Sequence, residues 1–106
     1  MTDDAALALL GDDQPPVAGG LLRALWHGTR GEWEAAHAIA QDEPSAEGAW
    51  VHAWLHRVEG DDANAAYWYR RAGRPVAAGP IDAEARAITA SLLRGTGGRW
   101  ARSTSS

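Results

Sequence analysis

The chain has 106 residues, 45% of them hydrophobic and 23% charged, with 12 glycines and 5 prolines, which fits one globular domain. At 11.3 kDa, folding would remove about 65% of roughly 16,000 Å² of unfolded surface from water, enough for one modest core, and the absence of cysteine excludes disulfides, thiolate nucleophiles and thiolate-ligated metal centres. The net charge of −4 is uneven: residues 1–50 hold nine acids against Arg23 and Arg30, net −7, while residues 51–106 hold five acids against eight arginines, net +3.

Residues 1–16 read as an N-terminal arm. A short helical pattern up to Leu10 is broken by Gly11-Asp12-Asp13-Gln14-Pro15-Pro16. Its acidic start is not that of a signal peptide, and no stretch nears the roughly 20 apolar residues of a membrane span, so the expected location is cytoplasmic, away from membrane. From Leu21, the spacing of Leu21, Leu22, Leu25 and Trp26 predicts a helix stopped by Gly28-Thr29-Arg30-Gly31. Trp33, Ala36, His37 and Ala40 share one face of a second helix ending near Pro44. Ser45 is an N-cap for a third, whose stripe is Trp50, Val51, Trp54, Leu55 and Val58. After Gly60-Asp61-Asp62, a fourth helix carries Ala65, Trp68, Tyr69 and Ala72 on one face and stops at Gly73. Ile81, Ala85, Ile88 and Leu92 stripe a last, capping helix, predicted to end at Gly95; residues 96–106, including Trp100, read as a disordered tail. The domain proper is thus expected over residues 17–95.

One internal offset aligns the chain with itself. Leu21 with Trp50, Leu25 with Trp54, Gly31 with Gly60 and Ala36 with Ala65 are all 29 positions apart. Helix, glycine turn and helix, repeated, predict an all-α fold of about two helical hairpins. The run Gly60-Asp61 with Ala65-x-x-Trp68-Tyr69-x-x-Ala72-Gly73 resembles the second helix of tetratricopeptide-type repeats, especially their Sel-type branch. Leu21 to about Leu93 is also similar to a group of small bacterial proteins with a His-x-x-x-His-Arg helix, here His52 to Arg57, followed by the run Asn64 to Gly73. These resemblances imply a tetratricopeptide-like scaffold and no activity.

In such a hairpin array the first helices line the concave face. At the offset of 29, Arg23, His27 and Arg30 correspond to His52, His56 and Glu59, so these six form a candidate groove. Arginine and histidine there suit an acidic peptide segment, and the expected function is a non-catalytic protein interaction module, with homodimerisation through tryptophans as a further possibility. The competing class is a metal-binding protein or metal-dependent hydrolase. His52, His56 and Glu59 fall on one side of the third helix, opposite its apolar stripe, and His37 can approach from the second; two imidazoles one turn apart suit zinc or nickel. On the first reading these residues are a solvated face, His37 is a hydrogen-bonded core histidine, and no cofactor is needed. Tyr67, Arg71 and Arg74 supply a possible aromatic and basic contact, but a pI near 5.4 opposes nucleic acid as a partner. Hydrolase motifs based on serine, or on His-Glu-x-x-His, are missing from the sequence.

Overall fold

The computed structural model describes residues 8–14 and 20–105, with side chains as far as Arg94. The described residues form helices joined by turns and short irregular connections, the longest at residues 74–80, without strand. After a helical turn at residues 8–11 come α1 (Gly20–Thr29), α2 (Trp33–Gln41), α3 (Ala46–Val58), α4 (Asp62–Ala72) and α5 (Ile81–Ser105). Among these residues, no helix is long and apolar enough to cross a membrane.

Short turns fold α1 onto α2 and α3 onto α4, and the two turns are built alike. Gly31 and Gly60 both take positive φ, 79° and 87°, which a side chain would strain. In the first, the Glu32 N–H donates to the His27 carbonyl at 3.0 Å; in the second, 29 positions on, the Asp61 N–H donates to His56 at 2.8 Å. Ser45 caps α3 by accepting from the Gly48 N–H at 3.0 Å, and Asp61 caps α4 by accepting from Asn64. The α4 end turns back through Gly73 at φ 73°, with the Arg74 N–H donating to the Tyr69 carbonyl.

The central element is α3, which packs against each of the other four helices. Every residue from Gly48 to His56 is buried, and the alanines that meet it (Ala24, Ala36, Ala40, Ala65, Ala85) let the neighbouring backbones close in. Indole N–H groups tie the helices together. Trp33 donates to the Leu55 carbonyl at 2.6 Å, Trp54 to the Ile81 carbonyl at 3.1 Å and Trp26 to the Asp12 carbonyl at 2.8 Å. One close approach limits the sequence strongly. A Cβ on Gly28 would lie 2.5 Å from Trp54 Cζ3, and Trp54 is fully buried and unable to yield. Gly28→Ala is therefore expected to destabilise by about 1–2 kcal/mol in a urea titration, overpacking outweighing the better helix propensity of alanine.

Two differences from the sequence reading stand out. The first helix runs on through Gly28 to Thr29, because the stop is made by the left-handed Gly31 alone. The last helix does not end at Gly95 but continues to Ser105, so over residues 96–105 the backbone is helical where a disordered tail was expected, and Ser106 lies outside the described residues; glycine weakens a helix and stops it only where it turns left-handed, as Gly73 does. The side chain of Trp100 lies outside the described residues, as do residues 1–7 and 15–19 of the chain. The described part of the arm, residues 8–14, is docked on the domain: Leu10 joins the core, and the Arg30 guanidinium donates to the carbonyls of Leu10 and Asp12.

Candidate metal centre

His52 and His56 do not form a solvated face. They are 6% and 8% exposed, because α2 packs over one side of that face and Trp68 of α4 over the other; a helix surrounded by neighbours has no side left for water. His37, from α2, meets them there. Its Nε2 stands 2.8 Å from His52 Nε2, so in the metal-free protein one ring donates its proton to the other. One ligand nitrogen from each of His37, His52 and His56 lies within 4.8 Å of the others.

Aromatic rings fix the orientation of all three imidazoles. Trp33 stacks on His37 with centroids 4.5 Å apart, and Trp68 stacks on His52 at 3.8 Å. His56 lies parallel to His52 at 4.9 Å on its other side. His56 Nδ1 is bonded to Glu59 Oε1 at 2.8 Å, which leaves Nε2 as its ligand atom and gives the carboxylate the role of an outer partner fixing the tautomer. Glu59 is partly exposed at the end of α3, and Asp61 lies beside it, held low by its hydrogen bonds from Asn64.

Burial, and then the neighbouring His37 and His56 rings, push His52 down to about 4. Burial also lowers His37, reinforced by His56 and opposed by Glu59. Both rings are therefore neutral near pH 7, the form a metal requires, so little proton displacement opposes binding. A zinc ion at about 2.0–2.1 Å from each nitrogen holds its ligands about 3.3 Å apart, so the 2.8 Å pair needs to open by only about half an ångström. Three imidazoles leave a fourth position open, where a bound water would have its own pKa brought near neutrality.

The same burial sets a pH dependence of the metal-free fold. His52 binds protons near 6.5 when unfolded and near 4 when folded, so the unfolded state takes them up first. The resulting stability is complete above about 6.5 and is lost as pH falls towards 4, a difference of about 1–2 kcal/mol once solvent at the edge of the site is allowed for. In EDTA the melting temperature should fall by several degrees between about pH 7 and pH 4.5, and less steeply in His52→Asn. Equal slopes for the two proteins would remove His52 as the cause.

The other expected groove residues do not join this cluster as an open surface. Arg23 is exposed on α1, His27 is bonded through Nδ1 to Glu32 at 2.7 Å, and Arg30 clasps the arm while stacking over Trp26 at 3.9 Å. Of the aromatic and basic trio, Tyr67 is 43% exposed and accepts from Arg71 at 3.3 Å, whereas Arg74 covers the Trp50 ring at 3.4 Å and is committed to the core edge.

A second buried polar constellation escaped the sequence reading. Glu84 of α5, 8% exposed, accepts from Arg57 at 2.7 Å, from Trp50 Nε1 at 3.1 Å and from the Tyr69 hydroxyl at 2.5 Å. Burial and the facing carboxylate raise the Tyr69 hydroxyl well above its usual range, keeping it a donor. All of its partners are fifteen or more positions away, so no local spacing announces it.

Comparison with known proteins finds no matching family model, no matching curated protein and no matching solved structure. The chemistry of the site rests on its own geometry.

Proposed function

We propose that this chain binds a divalent transition metal, of the zinc or nickel class, through His37, His52 and His56. The observation that carries this reading is the convergence of three ring nitrogens, from two helices, within 4.8 Å of one another. Stacking on Trp33 and Trp68 and the Glu59 bond to His56 support it, because they orient the rings before any metal arrives and so lower the ordering cost of binding. The helical-hairpin scaffold supplies rigid elements rather than loops to hold the ligands, which suits a site of defined geometry. A groove for an acidic peptide has less support, since Arg30 is engaged with the arm and His52 and His56 are buried.

The test is a calorimetric titration of EDTA-stripped, dialysed protein with zinc and with nickel at about pH 7.5. One equivalent per chain is expected, with a rise in melting temperature that vanishes in His37→Asn, His52→Asn and His56→Asn. Absence of stoichiometric binding by both metals at micromolar protein would overturn the reading.

A further inference from the structure

His56 belongs to two sets of ligand atoms. One atom from each of His56, Glu59 and Asp61 lies within 4.8 Å of the others, a set that shares only this histidine with the three imidazoles. The ring turns a different nitrogen to each: Nε2 is the ligand atom toward His37 and His52, and Nδ1 stands 2.8 Å from Glu59 Oε1. Resting on the metal reading, we propose that a second divalent transition ion takes the place of the proton between His56 Nδ1 and Glu59, with Asp61 as a third ligand and the His56 ring bridging the two ions.

The turn between α3 and α4 builds this set. Gly60 at φ 87° lets the Asp61 N–H donate back to the His56 carbonyl at 2.8 Å, which returns residue 61 to the neighbourhood of residue 56. Asn64 then orients the Asp61 carboxylate, donating to one oxygen from its backbone at 3.2 Å and to the other from its side chain at 2.7 Å, and each oxygen keeps a lone pair for a metal. An acidic turn alone is ordinary; here an imidazole nitrogen joins two carboxylates, a mixed set that zinc accepts. Charge favours the arrangement. Among the described residues neither Glu59 nor Asp61 is paired with an arginine, so two like charges stand close together with no arginine to balance them. The three imidazoles of the first site, by contrast, bring no negative charge to their ion. As the second metal–nitrogen bond forms, the Nδ1 proton leaves for solvent, and the bridging ring becomes an anion between two cations. A zinc ion at about 2.0–2.2 Å from nitrogen and oxygen requires the 2.8 Å pair to open by only about half an ångström. Glu59 is exposed, so water reaches this ion and it should bind more weakly than the first. The first hairpin lacks the set: Glu59 and Asp61 align with Arg30 and Glu32, which leaves His27 with one carboxylate.

Asp61→Asn tests the second site, because asparagine caps α4 as well as aspartate does and the change touches none of the three imidazoles. EDTA-stripped wild type and variant are titrated with zinc by calorimetry near pH 7.5. Both should take one stoichiometric equivalent with equal affinity; at higher free zinc, wild type should take a second ion at least about tenfold more weakly, and the variant should lose about tenfold in that step alone. Copper(II), which binds such sites more tightly than zinc and carries one unpaired electron, tests the bridge. One equivalent should give one paramagnetic resonance signal per chain. In wild type at liquid-helium temperature a second equivalent should extinguish that signal, because two spins joined through one imidazolate couple antiferromagnetically; in Asp61→Asn the first signal should persist. A single zinc step in wild type, a second step unchanged in Asp61→Asn, or a first copper signal that survives the second equivalent overturns the bridged site and leaves the metal reading intact. Failure to take up a first equivalent overturns the metal reading itself, before the second is reached.

Discussion

Glu84→Ala is expected to destabilise the domain by about 3–5 kcal/mol, enough to lower its melting temperature by more than about 15 °C. The carboxylate is almost fully buried and receives three donors on two oxygens, from Arg57, Trp50 and Tyr69. Truncation strands a largely buried guanidinium, an indole N–H and a phenol together, and the cost is dominated by these unpaired groups rather than by the lost attraction. Arg57 keeps its bond to the Gly79 carbonyl but loses its counter-charge. Glu84→Gln retains the shape and one acceptor oxygen, so it should cost visibly less than the alanine change. Urea unfolding followed by circular dichroism reads both. A loss below about 1 kcal/mol for Glu84→Ala would mean that water reaches these donors.

The second large effect concerns metal affinity. His52→Asn keeps a flat polar group against Trp68 while removing the nitrogen aimed at His37, and zinc affinity should fall by about a hundredfold or more. Glu59→Gln leaves all three ligands in place and alters only the partner of His56 Nδ1, for which about a tenfold loss is expected. Stability offers an independent readout. At free zinc about a hundred times the dissociation constant, wild type should gain about 2.7 kcal/mol, and His52→Asn at the same concentration almost none. If both variants lose affinity equally, Glu59 is itself a ligand and the coordination set must be redrawn around it.

Much of the scaffold was legible because its signals are local. Ser45, Asp61 and Gly73 cap their helices within four residues of the groups they satisfy, and the offset of 29 reappears as two turns with the same hydrogen bond. The four-residue spacing of His52 and His56 put them on one side of α3, and the same reading named His37 as a partner from α2. What was not legible is the burial of that side. The apolar stripe of α3 marks the side facing α1 and α5, but the histidine side is covered by Trp33 and Trp68, whose positions depend on how neighbouring helices pack. Arg30 was misread for a similar reason. The offset of 29 from Glu59 put it in a groove, whereas its guanidinium satisfies carbonyls of the arm eighteen and twenty residues earlier.

The position of α3, in contact with every other helix, decides how the molecule comes apart. In an extended array, end units fray while the middle holds; here no hairpin can peel away without exposing residues of α3, which carries Trp50 and Trp54. Unfolding should therefore be a single cooperative event, with α3 amides exchanging with deuterium only through the global transition. A metal held between α2 and α3 would consequently protect the exchange of amides in α5, on the far side of the domain, as strongly as those beside its own ligands.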